Sequence, residues 1–326
     1  SREGARKIIY KMAEKADVFL TNLRLFERRE FGLEYETLSH INPRLVYGSL
    51  TGYGKRGPET DSPAYDSTAY WAKAGLGYLL GTPGMPPAVD GGAFGDNVAA
   101  LTLAFGVMLA LFVRERTGQG QEVDVSLFHT GIYQLSWYIA GSLVTGLDLE
   151  DWRPRSREDV LNPLSLPYQT KDRRWLLLAL VQPDRYWSKI CSAIGREDLE
   201  HDPRFESFEP RIQNHTALYR ILEEVFRTRT LEEWKLRLRG IPFAPYQNLV
   251  EVTNDSQAKT NDIFLPFQHL TYGRIEVIAN PVNLSQTPAS LRMPAPEVGQ
   301  HTEEVLLEHG YTWKDMEVFK DQGIIV

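Results

Sequence analysis

Two short apolar runs, Val18–Leu20 and Leu45–Leu50, flank a stretch of helical spacing, Leu33–Ile41. Uninterrupted apolar runs of that length are what strands buried on both faces look like. Strand, helix, strand in this order is a βαβ unit, and it commits the chain to a parallel sheet with helices on both faces. Ala5, Ile8, Ile9, Met12, Ala13 and Ala16 put an amphipathic helix in front of the unit. No strand precedes that helix, so the N-terminal part of the domain is expected to be missing and the chain to enter an α/β fold partway.

Further along, Val98–Val113 is the most apolar run, closed by Asp96 and Arg114. It falls short of the roughly 20 residues that span a bilayer, so it is expected to be a buried core helix and no membrane contact is expected. Thr117–Gly120 breaks it, Glu122–Leu127 alternates as a strand, and Phe128–Leu147 has the pattern of one long helix. Charged and proline-containing residues from Asp151 to Asp159 suggest a linker. Beyond it come a strand over Trp175–Val181, helices over Asp184–Ile194 and His215–Phe226, and a capping box at Thr230-Leu231-Glu232-Glu233. A strand over Tyr272–Ala279 and helices over Thr302–His309 and Trp313–Phe319 complete the chain.

The formal charge of −7 excludes a nucleic-acid binder, which needs cations along a phosphate lattice. The single cysteine, Cys191, excludes an internal disulfide or a cysteine-rich metal site and points to a reducing, cytoplasmic compartment. Its apolar helical neighbours Trp187, Ile190 and Ile194 make it a packing residue. Gly52-Tyr53-Gly54-Lys55-Arg56-Gly57 matches G-x-G-x-x-G, but Pro58 follows where a dinucleotide site needs a helix N-terminus. The turn is read as a ligand loop or a plain crossover.

Several segments then fall in the order of one pattern. Ala16–Arg24, Gly32–Leu38 with Asn42–Tyr47, Thr51–Gly54 with Gly57-Pro58, Arg114–Leu127, and Pro294–Leu306 together resemble the class III CoA-transferases, the CaiB/BaiF family. The resemblance implies a Rossmann-like large domain, a smaller α+β domain, and two copies interlocked like links. Domains are expected at 1–150 (large, partial), 151–265 (small) and 266–326 (a return to the large domain). It implies a CoA-transferase moving coenzyme A between an acyl-CoA and a carboxylic acid, with no metal and no permanently bound cofactor.

By that resemblance Asn22, Leu23 and Arg24 contact CoA, with Tyr65 beside the active site. Arg28, Arg29, Lys55 and Arg56 would add positive charge on neighbouring loops. The family's chemistry needs a carboxylate that attacks the thioester carbonyl. Its aspartate lies three residues after the serine of Val123-Asp124-Val125-Ser126, and here that position is His129. Three readings stay open. His129 acts as a base in an isomerase or racemase, or orients substrate while another carboxylate attacks. Otherwise the chain is a non-catalytic CoA-binding subunit, a heteromer with a paralogue replacing the homodimer. Asp66 is the nearby carboxylate, with an alternative role as the N-cap of the helix through Trp71. The racemase branch's histidine and aspartate fall at Tyr78 and Asn162, which argues against a standard racemase. Phe243, in a segment resembling the loop beside the acyl pocket, would favour an apolar acyl group.

Overall fold

The computed structural model describes residues 3–81, 85–89, 92–148, 156–269 and 271–325. The chain folds as two compact units, Ser1–Trp152 with Ala295–Val326, and Arg153–Pro294. Residues 151–155 of the expected linker lie outside the described residues.

The first unit is built on three parallel strands in the order β1 (Val18–Thr21), β2 (Val46–Thr51), β3 (Glu122–Ser126). On one face, α1 (Glu3–Ala13) and α3 (Tyr35–Ile41) bring Ala13 and Leu38 onto Leu45 and Tyr47. On the other, α5 (Phe94–Thr117) lays Leu103, Val107 and Ala110 against Val46, with Val18 and Val123 around them. Gly48 permits this approach, because a Cβ there would meet Leu20 Cδ2 at 2.4 Å and Val107 Cγ2 at 3.3 Å. The expected helix at Leu33–Ile41 is α3, and a further helix precedes it. α2 (Leu25–Phe31) ends at Gly32, whose φ of 68° reverses the chain before α3 begins.

The apolar run near residue 98 differs from expectation in two ways. α5 extends over 24 residues, long and apolar enough by length and composition to cross a membrane, because Phe94–Asn97 and Arg114–Thr117 continue the helix past the apolar core of the run. It is also not buried all round: Ala99, Leu103, Val107 and Ala110 pack, while Leu101, Phe105, Met108 and Phe112 are exposed in the single chain. The stretch after β3 is likewise interrupted. α6 (Leu127–Gln134) and α7 (Ser136–Thr145) meet at Leu135, which turns inward to join Tyr70, Trp71 and Leu76 in a core cluster. α4 (Leu76–Leu80) and a π-helical stretch over Asp66–Lys73 complete that cluster.

The second unit has an antiparallel sheet of β4 (Pro167–Gln169), β5 (Trp175–Leu178) and β6 (Phe243–Pro245). Leu176 and Leu178 of β5 share a core with Trp187 and Cys191 of α8 (Pro183–Ile194), Leu222 and Phe226 of α9 (His215–Phe226), and Trp234 of α10 (Leu231–Arg237). Thr230 starts α10 with both bonds of a capping box, the Glu233 carboxylate accepting from Thr230 N–H at 2.8 Å.

β7 (Phe264–His269) and β8 (Gly273–Ile278) pair as a hairpin that belongs to this second unit. The return to the first unit therefore comes at Ala295 and not at 266, a boundary that would cut through β7 and strip β8 of its partner. After the return, α11 (Thr302–Glu308) and α12 (Trp313–Asp321) close Leu306 and Met316 over Ile8 of α1.

Gly120 sets the entry into β3. Its N–H donates to Pro43 O at 2.8 Å, and a Cβ would sit 2.1 Å from Leu45 O, a backbone atom that cannot swing aside. Gly120→Ala is expected to destabilise the first unit by about 1–3 kcal/mol, read as a lower midpoint in urea unfolding.

Candidate active site

Parallel pairing sets Thr21, the end of β1, beside Ser49, with β2 running two residues further to Thr51, so both chains leave the sheet at one edge, where ligands of open α/β sheets are held. A cavity of about 330 Å³ opens there, lined by Asn22, Leu23, Arg24, Gly52 and Tyr65 among others. Four residues expected around CoA (Asn22, Leu23, Arg24 and Tyr65) thus meet at one place. Asp66 and His129 do not line this cavity.

The Asn22–Arg24 loop is fixed by its own neighbours. Leu23 N–H donates to Thr21 Oγ1 at 3.1 Å, and Arg24 N–H to Glu27 Oε2 at 2.8 Å. Glu27 Oε1 also accepts from Arg24 Nη2 at 2.9 Å, and this contact holds the Glu27 carboxyl below the usual carboxylate range. Glu27 lines the cavity and is absent from the sequence expectations. Its signal was an acid three residues past the cap residue Arg24, the position that reaches back to the cap's own N–H.

None of the four additional cations lines this cavity. Arg28 and Arg29 are not on loops: both lie in α2, and Arg28 is 2% exposed and points into the sheet. Lys55 is paired with Glu122, Arg29 lies 3.8 Å from Glu34, and Arg56 is exposed.

His129 is exposed on the first turn of α6. Its backbone N–H donates to Ser126 Oγ at 3.2 Å, so the serine caps the helix. Phe128 N–H donates to Gly52 O at 3.0 Å. Gly52 is a wall of the cavity, so the start of α6 is fastened to that wall one residue before the imidazole.

Asp66 has a different setting. It is the first residue of the π-helical stretch, with Tyr65 at the cap position, so the expected N-cap role falls one residue out of register. Both carboxylate oxygens are shut off from solvent. Gly95 at the start of α5 makes room for the group: a Cβ there would lie 2.2 Å from Asp66 Oδ1. Burial and, less strongly, the Asp96 charge push the Asp66 carboxyl above its ordinary value. The Gly95 and Asp96 N–H groups and the Trp71 indole face it and offset only part of that shift.

Two further residues have structural settings. Asn162 caps the turn at Pro163–Ser165 and donates to Leu180 O at 3.1 Å. Phe243 is half-buried against the second unit's core. Among the described residues no group of three or more His, Cys, Asp or Glu side chains could hold a metal ion.

A carboxyl whose folded value is raised favours the native state at low pH. That contribution is lost as pH rises past the ordinary aspartate value toward the folded one, because the unfolded chain ionises freely and the native one does not. Asp66→Asn removes the loss. Its melting temperature is expected to exceed that of the wild type at pH 7, with the gap narrowing as pH falls toward 4. An equal gap at both pH values would contradict this.

The family described as CoA-transferase family III matches residues 1–302. The chain is 35% identical to (R)-2-hydroxy-4-methylpentanoate CoA-transferase of Clostridioides difficile, over 100% of this chain and 80% of that protein. It is 33% identical to cinnamoyl-CoA:phenyllactate CoA-transferase of Clostridium sporogenes, over 99% and 79%. The crystal structure of a CaiB/BaiF family protein from Brucella suis superposes with a TM-score of 0.78 at 26% identity, covering 94% of this chain and 79% of that one. The chain belongs to CoA-transferase family III, and its reaction is the movement of coenzyme A between an acyl-CoA and a carboxylic acid.

Proposed function

We propose that the cavity at the ends of β1 and β2 holds the CoA moiety, and that its thioester reaches the first turn of α6, where His129 meets the acceptor acid. The observation that carries this is the bond from Phe128 N–H to Gly52 O, which ties the helix bearing His129 to the cavity wall. Arg24 and Asn22 supply a cation and an amide for phosphate and pantetheine oxygens, and Tyr65 a ring.

An imidazole cannot form the enzyme-CoA thioester that a side-chain carboxylate forms, since it has no acyl carbon for the thiolate to attack. The remaining carboxylate in the cavity, Glu27, is held by Arg24. The acceptor acid therefore attacks the donor thioester itself. Its carboxylate oxygen bonds to the thioester carbonyl carbon and the C–S bond breaks, giving the mixed anhydride of the two acids and a CoA thiolate. The thiolate then attacks the acceptor carbonyl of that anhydride, and the donor acid leaves. His129 orients the acceptor carboxylate for the first step. Steady-state kinetics are expected to be sequential, and hydroxylamine is expected to trap no enzyme thioester. His129→Asp is expected to bring ping-pong kinetics and a trappable thioester. Ping-pong kinetics with a trappable thioester in the wild type would overturn the direct route, and solvent deuterium entering the α-carbon without acceptor would replace transfer by isomerisation.

The two relatives above, named for 4-methylpentanoate and phenyllactate chemistry, support an acceptor that is a 2-hydroxy acid with a branched or aromatic apolar side chain. A second reading, a CoA-binding subunit of a heteromer, is favoured by one relative. The beta subunit of succinyl-CoA–L-malate CoA-transferase of Chloroflexus aurantiacus is 29% identical over 94% of this chain and 75% of that protein. The enclosed Cys191 supports a reducing, cytoplasmic setting.

Two copies are expected to associate as interlocked partners. The exposed face of α5 with Phe105, Met108 and Phe112, and the exposed Val282, Leu284 and Met293 after β8, supply apolar surface for a second chain. Light scattering on the purified chain should give twice its 37.2 kDa. A single-chain mass would refute the homodimer and favour the heteromer if activity is also absent.

A further inference from the structure

The register between β2 and β3 sets Ser49 directly opposite Asp124. Ser49 Oγ lies 3.1 Å from Asp124 Oδ1 and 2.7 Å from Arg28 Nη1. An arginine can only donate and an ionised carboxylate only accept, so the hydroxyl must accept from Arg28 and give its proton to Asp124. Ser49 is fully buried and Arg28 is 2% exposed, while Asp124 at the far end of the row is exposed, so the bonds run from a buried cation through a buried hydroxyl to a carboxylate at the surface. At its other end, Arg28 Nε donates to Leu23 O at 2.7 Å.

Leu23 O and Arg24 N–H belong to the same peptide unit, which is planar and turns as one body. Arg28 holds its oxygen, Glu27 holds its N–H at 2.8 Å, and Thr21 Oγ1 holds the preceding N–H at 3.1 Å. That peptide carries Arg24 into the cavity.

Building on the cavity reading above, we propose that Arg28 is a positioning residue for CoA binding, holding the Leu23–Arg24 peptide from inside the sheet through Ser49 and Asp124. It does not touch CoA. It sets the direction from which Arg24 and Asn22 do.

Ser49→Ala removes the middle of the chain while keeping its Cβ, and Arg28→Lys keeps the charge but cannot serve both acceptors in the same way. Each is expected to raise KM for the acyl-CoA about five-fold, the worth of one hydrogen bond, with kcat and the KM for the acceptor acid within about two-fold. In an Arg24→Ala background the effect of Ser49→Ala is expected to shrink, because the peptide then carries no cation to aim. Binding of free CoA to the wild type, Asn22→Ala and Arg24→Ala is measured beside these. If Asn22→Ala and Arg24→Ala bind CoA as the wild type does, the cavity reading falls and this inference with it. If they weaken binding while Ser49→Ala and Arg28→Lys leave KM unchanged, only the positioning role is overturned. A fall in kcat and melting temperature without a rise in KM, or full additivity with Arg24→Ala, reduces the network to a structural one and also overturns it.

Discussion

The parallel register of Val46–Thr51 against Val18–Thr21 and Glu122–Ser126 is the constraint on which the rest of the first unit depends. Strand side chains alternate between faces, so a slip of one residue would carry every one of them to the opposite side. In the observed register Val46 meets α5, Tyr47 meets the cluster of α1 and α3, and Ser49 meets Asp124. The same pairing ends β1 and β2 at one edge and opens the cavity between the loops that follow. Fold and site are consequences of one alignment, and the glycines at 48 and 120 are where it leaves no room for a side chain.

Much of this was legible because apolar patterning dominates it. The strands at 18, 46 and 122, the helix at His215–Phe226 and the Thr230 capping box lie where periodicity and cap chemistry put them. The misreadings share a cause: each depended on what a residue touches at long range. Leu135 breaks a helix that its local sequence would continue, because the cluster with Tyr70 and Trp71 buries it. α5 is apolar on all sides, so its sequence hides which face packs and which stays open. The hairpin of β7 and β8 sits where a return to the first unit was expected, and no local signal marks that boundary.

The site shows the same division. Asn22, Leu23, Arg24 and Tyr65 were singled out by resemblance, and they line one cavity. The fold gives Arg28 and Asp66 settings that their sequence context does not show. Arg28, expected on a loop, lies in α2 with its side chain bonded to Ser49 inside the sheet, and the Asp66 carboxylate is enclosed against the start of α5. Charge on a sequence says nothing of which way the side chain faces. Nor does the sequence reveal that Gly52 and Phe128 are bonded across a gap of more than seventy residues, a contact that gives position 129 its chemical interest.

The lone cysteine has a bearing on a protein that handles thiols. Cys191 lies in the core of the second unit, and burial pushes its thiol up to about 12. It presents neither a thiolate nor an open approach, so the disulfide of coenzyme A or oxidised glutathione finds no thiol on the folded surface with which to exchange. A maleimide would instead label this chain only as the second unit opens, turning one inert atom into a reporter of that unit's unfolding.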